Sequence, residues 1–452
     1  MNKKRFTRRV AFASMFSFML LLLTLTQEGV GATQQPKSSP TVPAASALPS
    51  PTPLARDERL WREAQRIHRQ AIIVDGHNDI TTPMTNHDYD LGGPPPAPYR
   101  TSLERMKQGG LTAEFFSLYV KRWYATNGGA SRRALDMVDA VYRAVERHPN
   151  DLVLATSASD IRRVKRQRKI AALMGIEGGH VIENSLGVLR EFYRLGVRYM
   201  TLTWNNTNDW ADAGRGEKIH NGLTDFGKEV VREMNRLGML VDVSHVSDKT
   251  MSDALDVSRA PIIASHSSAR ALANQPRNIP DDLLRRIAKN GGVVMVNFYT
   301  AFLDPKAIEG NRERSERLKA QSDAIDEQFK NDPEQLGEEG DKLDAANPLP
   351  PTPISILVDH IDYIVKVAGI DSVGLGSDFD GTMDMPEDLK DVSQLPNITY
   401  ELLRRGYSEK DIRKILGENF LRVFAQAEAF ARSSSRTISG EGSVRRINRP
   451  QK

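Results

Sequence analysis

Eight short apolar runs rich in β-branched residues, each followed by a helical pattern, constrain this chain more than any other feature. They are AIIVDG (71–76), TAEFFSLYV (112–120), IAALMGI (170–176) and VRYMTLTW (197–204), then GMLVDVS (238–244), APIIAS (260–265), GVVMVNF (292–298) and SVGLGS (372–377). A strand that is apolar throughout has to be buried on both faces, which a parallel sheet covered by helices provides. The stretches SLGVLREFYRLG, FGKEVVREMNRLG and PDDLLRRIAKNG read as such helices, and each ends in Gly, the residue that tolerates the left-handed backbone past a helix C-terminus. Eight strand–helix repeats predict a closed (β/α)8 TIM barrel in preference to an open sheet. With 39% hydrophobic residues in 452, the chain has enough apolar surface for that core.

The ends differ from this body. Lys3, Lys4, Arg5, Arg8 and Arg9 precede an apolar run from Val10 to Leu25, and the small residues Gly29, Gly31 and Ala32 follow. That order predicts a secretory signal peptide over residues 1–32, cleaved after Ala32, and hence a periplasmic or secreted protein. Left uncleaved, the segment would tie the chain to a membrane, although its apolar run falls short of the roughly 20 residues a span requires. Residues 33–56, rich in Pro, Ser, Thr and Ala, read as a flexible linker, residues 57–431 as the barrel domain, and residues 432–452 as a disordered basic tail. Inside the barrel domain a charged stretch of about 304–353, with the helical centre RERSERLKAQSDAIDEQFK, breaks the rhythm after the seventh strand. It reads as a surface insertion, either a solvated helix or a lid, because it leaves the face where barrel enzymes carry their active sites.

Charge and cysteine content remove several function classes. The net charge of +4 is misleading, because residues 1–32 carry +4 and residues 432–452 carry +5, leaving −5 for residues 33–431. A folded body of that sign has no basic stripe for nucleic acid. The absence of cysteine rules out disulfides, thiolate zinc clusters and cysteine nucleophiles, so an exported chain like this rests on its core and on any metal it binds.

Six metal-competent side chains fall at strand ends. His77 and Asp79 follow the first strand in VDGHND, and Glu177 follows the third in MGIEGGH. His245 follows the fifth in VDVSHVS, His266 the sixth in IIASHSS, and Asp378 the eighth in LGSDFDG. A barrel brings all six to its C-terminal rim. Imidazole and carboxylate suit zinc and related divalent ions, and six such groups exceed one tetrahedral site. Two ions sharing a carboxylate are the natural reading, and such a pair generates hydroxide from water at neutral pH. The other histidines read as bystanders: His68, His87 and His148 as helix or loop residues, His360 as a helix residue, His180 as a neighbour supporting the site.

The motifs VDGHND, GIEGG, NRLGMLVDVSHVS, PIIASHSSAR, RNIPDD, VMVNFY, GSDFDG and GENFLRVF together resemble the membrane dipeptidases (renal dipeptidase family), over about residues 65–430. The resemblance implies a zinc-dependent dipeptidase, with two zinc ions per subunit and dipeptides as substrates. His77 and Asp79 would hold one zinc, His245 and His266 the other, with Glu177 bridging; a metal-bridging hydroxide would attack the peptide bond. Asp378 would be the catalytic acid and base, and Arg277 would clamp the substrate's terminal carboxylate. A homodimer is also implied, and substrates with a C-terminal D-residue are an expectation. One position departs from the family: where it carries a histidine that touches the substrate carbonyl, TLTWNNTNDWAD has Trp204, with Asn205, Asn206 or His220 as alternative donors. Two other readings fit the residues: a barrel amidohydrolase for another small amide, lactone or N-acyl amino acid, and a non-catalytic exported binding protein.

Overall fold

Parallel pairing closes the eight apolar runs into a ring. A computed structural model describes residues 56–441; residues 1–55, where a signal peptide and linker are expected, and residues 442–452 of the expected tail lie outside the described residues. The strands are β1 (Val74–Asn78), β2 (Ala113–Tyr119), β3 (Ile170–Glu177), β4 (Val197–Thr201), β5 (Leu240–Asp242), β6 (Ile263–Ala264), β7 (Val293–Val296) and β8 (Val373–Leu375). Each pairs in parallel with its sequence neighbours, and β8 returns to β1 through Leu375 and Asp75. With helices between the strands, this is the (β/α)8 barrel expected from the sequence.

One further strand was not anticipated. Leu152–Leu154 pairs with Ile170–Ala172 at the start of β3, while β4 pairs with Met174–Glu177 at its end. The extra strand thus occupies the edge of β3 that the late start of β4 leaves open. Three residues are too few to register as a periodic pattern.

Side-chain alternation sorts the strands into two packed layers. Val74, Phe115, Leu173, Tyr199 and Met295 belong to an inner cluster with Phe420 and Phe424 of the last helix, whereas Phe116, Met174, Met200 and Val296 pack outward against the helices. A period of two is what a strand buried on both faces imposes. The helix Asp225–Leu237 illustrates the outer layer: Thr224 caps Gly227 N–H at one end, and Gly238 takes φ 83° at the other. The last helix, Asn419–Glu441, continues past Arg432, where the sequence sets the start of the tail.

The insertion holds two helices where the sequence suggests one. Pro305–Phe329 contains the expected centre, and a second helix, Pro333–Ala346, follows after a short turn. Asp304 and Asp332 cap them, each followed by Pro in the first turn. The second helix is docked and does not stand free in solvent: Glu334 meets Lys121 and Arg133, both at 3.1 Å, and Glu338 meets His87 at 2.7 Å.

Candidate active site

The barrel brings the six strand-end residues into one buried cluster. His77 lies within β1 and Asp79 just beyond it, Glu177 ends β3, and His245, His266 and Asp378 sit in the loops after β5, β6 and β8. His245 and Asp378 have left-handed backbones, φ 66° and 62°. That conformation costs a non-glycine residue on the order of 1–3 kcal/mol, and it is characteristic of sites whose surroundings dictate side-chain direction.

Glu177 is the centre of the cluster. Its Oε2 lies 3.3 Å from His77 Nε2, while its Oε1 lies 2.8 Å from His245 Nε2 and 3.6 Å from His266 Nε2. His77 Nε2 is also 3.4 Å from an Asp79 oxygen, and the two imidazole Nε2 atoms of His245 and His266 are 2.9 Å apart. Ligand atoms of His77, Glu177 and His266 can surround one ion, as can those of His77, Asp79 and Asp378.

The outer nitrogens decide which way the lone pairs point. The Tyr199 hydroxyl donates to Gly76 O (3.2 Å), so it accepts from His77 Nδ1–H at 2.8 Å. Ser265 Oγ donates to Asp242 (2.6 Å) and therefore accepts from His266 Nδ1–H at 2.8 Å. Asn205 Oδ1 accepts from His245 Nδ1 at 3.1 Å. Each Nε2 consequently carries a lone pair aimed at the carboxylates or at another lone pair, and both His77 Nε2 and Asp79 Oδ1 are buried without a hydrogen-bond donor. Divalent cations satisfy such a set of donor atoms, and locking the ligand tautomer from behind is how metal sites are organised.

At His245 and His266 the electrostatics agree with that donor set. Burial, reinforced by the charge of Arg277, holds His245 and His266 well below the usual imidazole range, so both are in the neutral form that ligates metal. Burial lifts Glu177 to about 7, and it also raises Asp378. Asp378 is fixed by Asn297 Nδ2, which donates to its Oδ2 at 2.8 Å.

The cluster opens into a cavity of about 310 Å³ that also exposes Arg277, Trp204 and Asn205. Arg277 is 4% exposed; its Nη atoms reach only Ser267 Oγ (3.5 Å) and His266 O (3.3 Å), and its Nε has no acceptor. Burial brings its pKa down to about 10, which leaves it charged at neutral pH. Trp204 tilts against Tyr119 with ring centres 5.1 Å apart and stands 6.4 Å from His245. Of the three alternative donors, Asn205 lines this cavity, whereas Asn206 lines a neighbouring one and His220 is occupied by Asn208 O at 2.8 Å. His180 bonds Val120 O at 3.0 Å and shares no hydrogen bond or ion pair with the six.

Sequence reading passed over Tyr199, Asp242, Ser265 and Asn297. Tyr199 had a signal: it alternates inward in β4, and Gly175 of β3 leaves room for it, since a Cβ there would lie 2.1 Å from the ring. Asn297 stood inside the quoted VMVNFY motif without a role. Arg215 gave no signal; it shares the Phe302 ring with Arg277, both at 5.3 Å.

Residues 61–437 match the family model of membrane dipeptidase (peptidase family M19). This chain belongs to the membrane dipeptidase family. The probable dipeptidase PvdM from Pseudomonas aeruginosa is 28% identical, with a TM-score of 0.71 over 83% of this chain and all of that one. The metallopeptidase dipeptidase AC is 25% identical, with a TM-score of 0.65 over 79% of this chain and 98% of its own. A Rhodobacter sphaeroides metallopeptidase, liganded with a phosphinate mimic of L-Ala-D-Ala, has the same fold at 24% identity (TM-score 0.65, 79% of this chain and 100% of that one). This member of the family is a metallo-dipeptidase, a hydrolase with a metal cofactor and dipeptide substrates.

Proposed function

We propose that this dipeptidase works with two zinc ions, one held by His77 and Asp79, the other by His245 and His266, with Glu177 bridging. The observation that carries the reading is that separate oxygens of Glu177 face His77 (3.3 Å) and His245 (2.8 Å), while every imidazole in the set has its other nitrogen engaged from behind. Neutral imidazole with carboxylate, and no thiolate anywhere in the chain, suits zinc among the common divalent ions. When bound, the ions supply Lewis acidity toward the scissile carbonyl and acidify a water.

The chain's own residues do the rest. Arg277 grips the terminal carboxylate of the dipeptide, for which a planar guanidinium with unspent N–H groups is fitted. An anchor one residue beyond the cut restricts the site to dipeptides. Asp378, steadied by Asn297 through one oxygen, accepts the proton of the attacking water and delivers it to the departing amine nitrogen. Trp204 and Tyr119 form an aromatic wall against which a substrate side chain packs. The reading extends to substrates with a C-terminal D-residue, as the expected export signal and the family resemblance suggest.

The test is metal content and turnover together. Chelated protein assayed on L,L and L,D dipeptides is expected to be inactive, and to recover as zinc is restored to two equivalents. Full activity at one equivalent, or in the chelated protein, would discard the two-zinc reading.

A further inference from the structure

The second helix of the insertion turns a carboxylate into the cavity that has nothing to bind. Glu338, Asp341 and Asp344 of this helix all line the same space as Arg277 and Asp378. Glu338 is taken by Asn86 (3.1 Å) and His87 (2.7 Å), and Asp344 by Arg314 at 3.4 Å. Asp341 has no hydrogen bond or ion pair among the described residues. Lys121 is the cation beside it, but its three protons go to Pro333 O (2.8 Å), Glu334 O (3.2 Å) and Glu334 Oε2 (3.1 Å). The close approach of Lys121 is built in: a Cβ on Gly337 would lie 2.5 Å from its Nζ. Burial accordingly lifts Asp341 to about 7, with Lys121 pulling against it and Asp344 and Asp79 adding to it.

A second, independent group in the cavity is short of partners and has the opposite sign. The Nε of the buried Arg277 has no acceptor. One cavity thus presents a cation with an unused donor and an anion without a protein partner, together with the cluster of candidate metal ligands, a complement to a small zwitterion.

We propose that Asp341 is a specificity-determining residue that binds the free α-ammonium of the dipeptide, so that the insertion reads the substrate's N-terminus while Arg277 reads its C-terminus. The inference rests on the dipeptidase reading with Arg277 as carboxylate anchor. It gives the insertion a role in catalysis, since the site becomes an exopeptidase that rejects N-acylated substrates.

The test is steady-state hydrolysis of Ala-Ala and N-acetyl-Ala-Ala by the zinc-restored full chain, wild type and Asp341→Asn, with Glu338→Gln as the comparison. The wild type is expected to favour the free dipeptide. Asp341→Asn is expected to raise KM for Ala-Ala by about tenfold or more, the effect of losing one charge-assisted hydrogen bond, with kcat little changed. It should leave N-acetyl-Ala-Ala unaffected, so the preference collapses. Glu338→Gln, which loosens the helix from Asn86 and His87, lowers both substrates together if it acts at all. An unchanged preference in Asp341→Asn, or a parallel loss on both substrates, would overturn the assignment. Absence of Ala-Ala turnover in the wild type would instead remove the dipeptidase reading itself, and this inference with it.

Discussion

The Tyr199 hydroxyl stands 2.8 Å from His77 Nδ1 and 3.2 Å from the Gly76 carbonyl, deep inside the barrel. It joins an inward residue of β4 to a ligand candidate on β1, across a space that Gly175 keeps open. Tyr199→Phe removes the acceptor and leaves a buried N–H unpaired, a cost of about 1–3 kcal/mol. Because outer-layer partners fix ligand orientation, zinc affinity should fall about 10–100-fold, with the ring packing and fold retained. Competition with a chelator measures it; an affinity equal to wild type would mean that Tyr199 only fills the barrel.

Arg277 supplies a sharper test of substrate class. Its charge is buried and unsatisfied at Nε, so Arg277→Ala should raise KM steeply for dipeptides and leave dipeptide amides, which lack the carboxylate, at the wild-type rate. The expected loss in kcat/KM on carboxylates is about 100-fold or more, equivalent to about 3 kcal/mol for a buried charged hydrogen-bonded pair. Equal losses on acids and amides would assign Arg277 to support of the His266 loop, whose carbonyl it reaches at 3.3 Å.

His68, which does not line the cavity, ties stability to pH. It is 2% exposed, with Nε2 against Gly109 O and Nδ1 against Thr399 Oγ1, both at 2.7 Å, a pattern that the neutral ring satisfies. Burial brings its pKa down to about 4, opposed by the Gly109 bond, whereas an unfolded histidine titrates near about 6.5. Between those values the unfolded chain binds more protons, so stability is full above about 6.5 and is lost as pH falls toward about 4. His180, also brought to about 4 by burial, acts in the same direction. In His68→Gln the slope of unfolding free energy against pH in that window should drop by up to about 1.4 kcal/mol per pH unit, one proton's worth. Denaturant titrations at several pH values between those limits would show it, and an unchanged slope would refute it.

The reason some features were legible and others were not is visible at particular residues. The barrel could be read because nearly every strand position is buried, so the strands stand out as short, mostly apolar runs. The convergence of His77, Asp79, Glu177, His245, His266 and Asp378 on one cluster could be expected because a barrel funnels strand ends to one rim whatever their separation in sequence. Ser265, Asp242 and Asn297 could not, since a polar residue near a strand end has the same local signature whether it faces a ligand or a turn. Asp341 was hidden for a different reason. It lies in a charged stretch that reads as either a solvated helix or a lid, and the docking of Glu334 on Lys121 and Arg133 reveals that one face of its helix is covered.

That docking has a second anchor, and it yields the last prediction. Arg314, 4% exposed, joins the first insertion helix to Asp384 at 2.9 Å, and Asp384 in turn accepts from Leu349 N at 2.9 Å, where the insertion rejoins the barrel. Removing one partner of a buried pair leaves an uncompensated charge, worth about 3–5 kcal/mol. Arg314→Ala strands Asp384, and the penalty falls on the seam between insertion and barrel, leaving the barrel's own strands intact. Limited proteolysis should therefore cut within residues 304–353 at protease levels that spare the wild type, while zinc content stays the same. Arg314→Met, which keeps the apolar stem but not the charge, should behave like the alanine variant, because the stranded carboxylate and not lost packing is the cause. If the methionine variant instead resists cleavage as the wild type does, packing of the stem holds the insertion down and the ion pair is incidental.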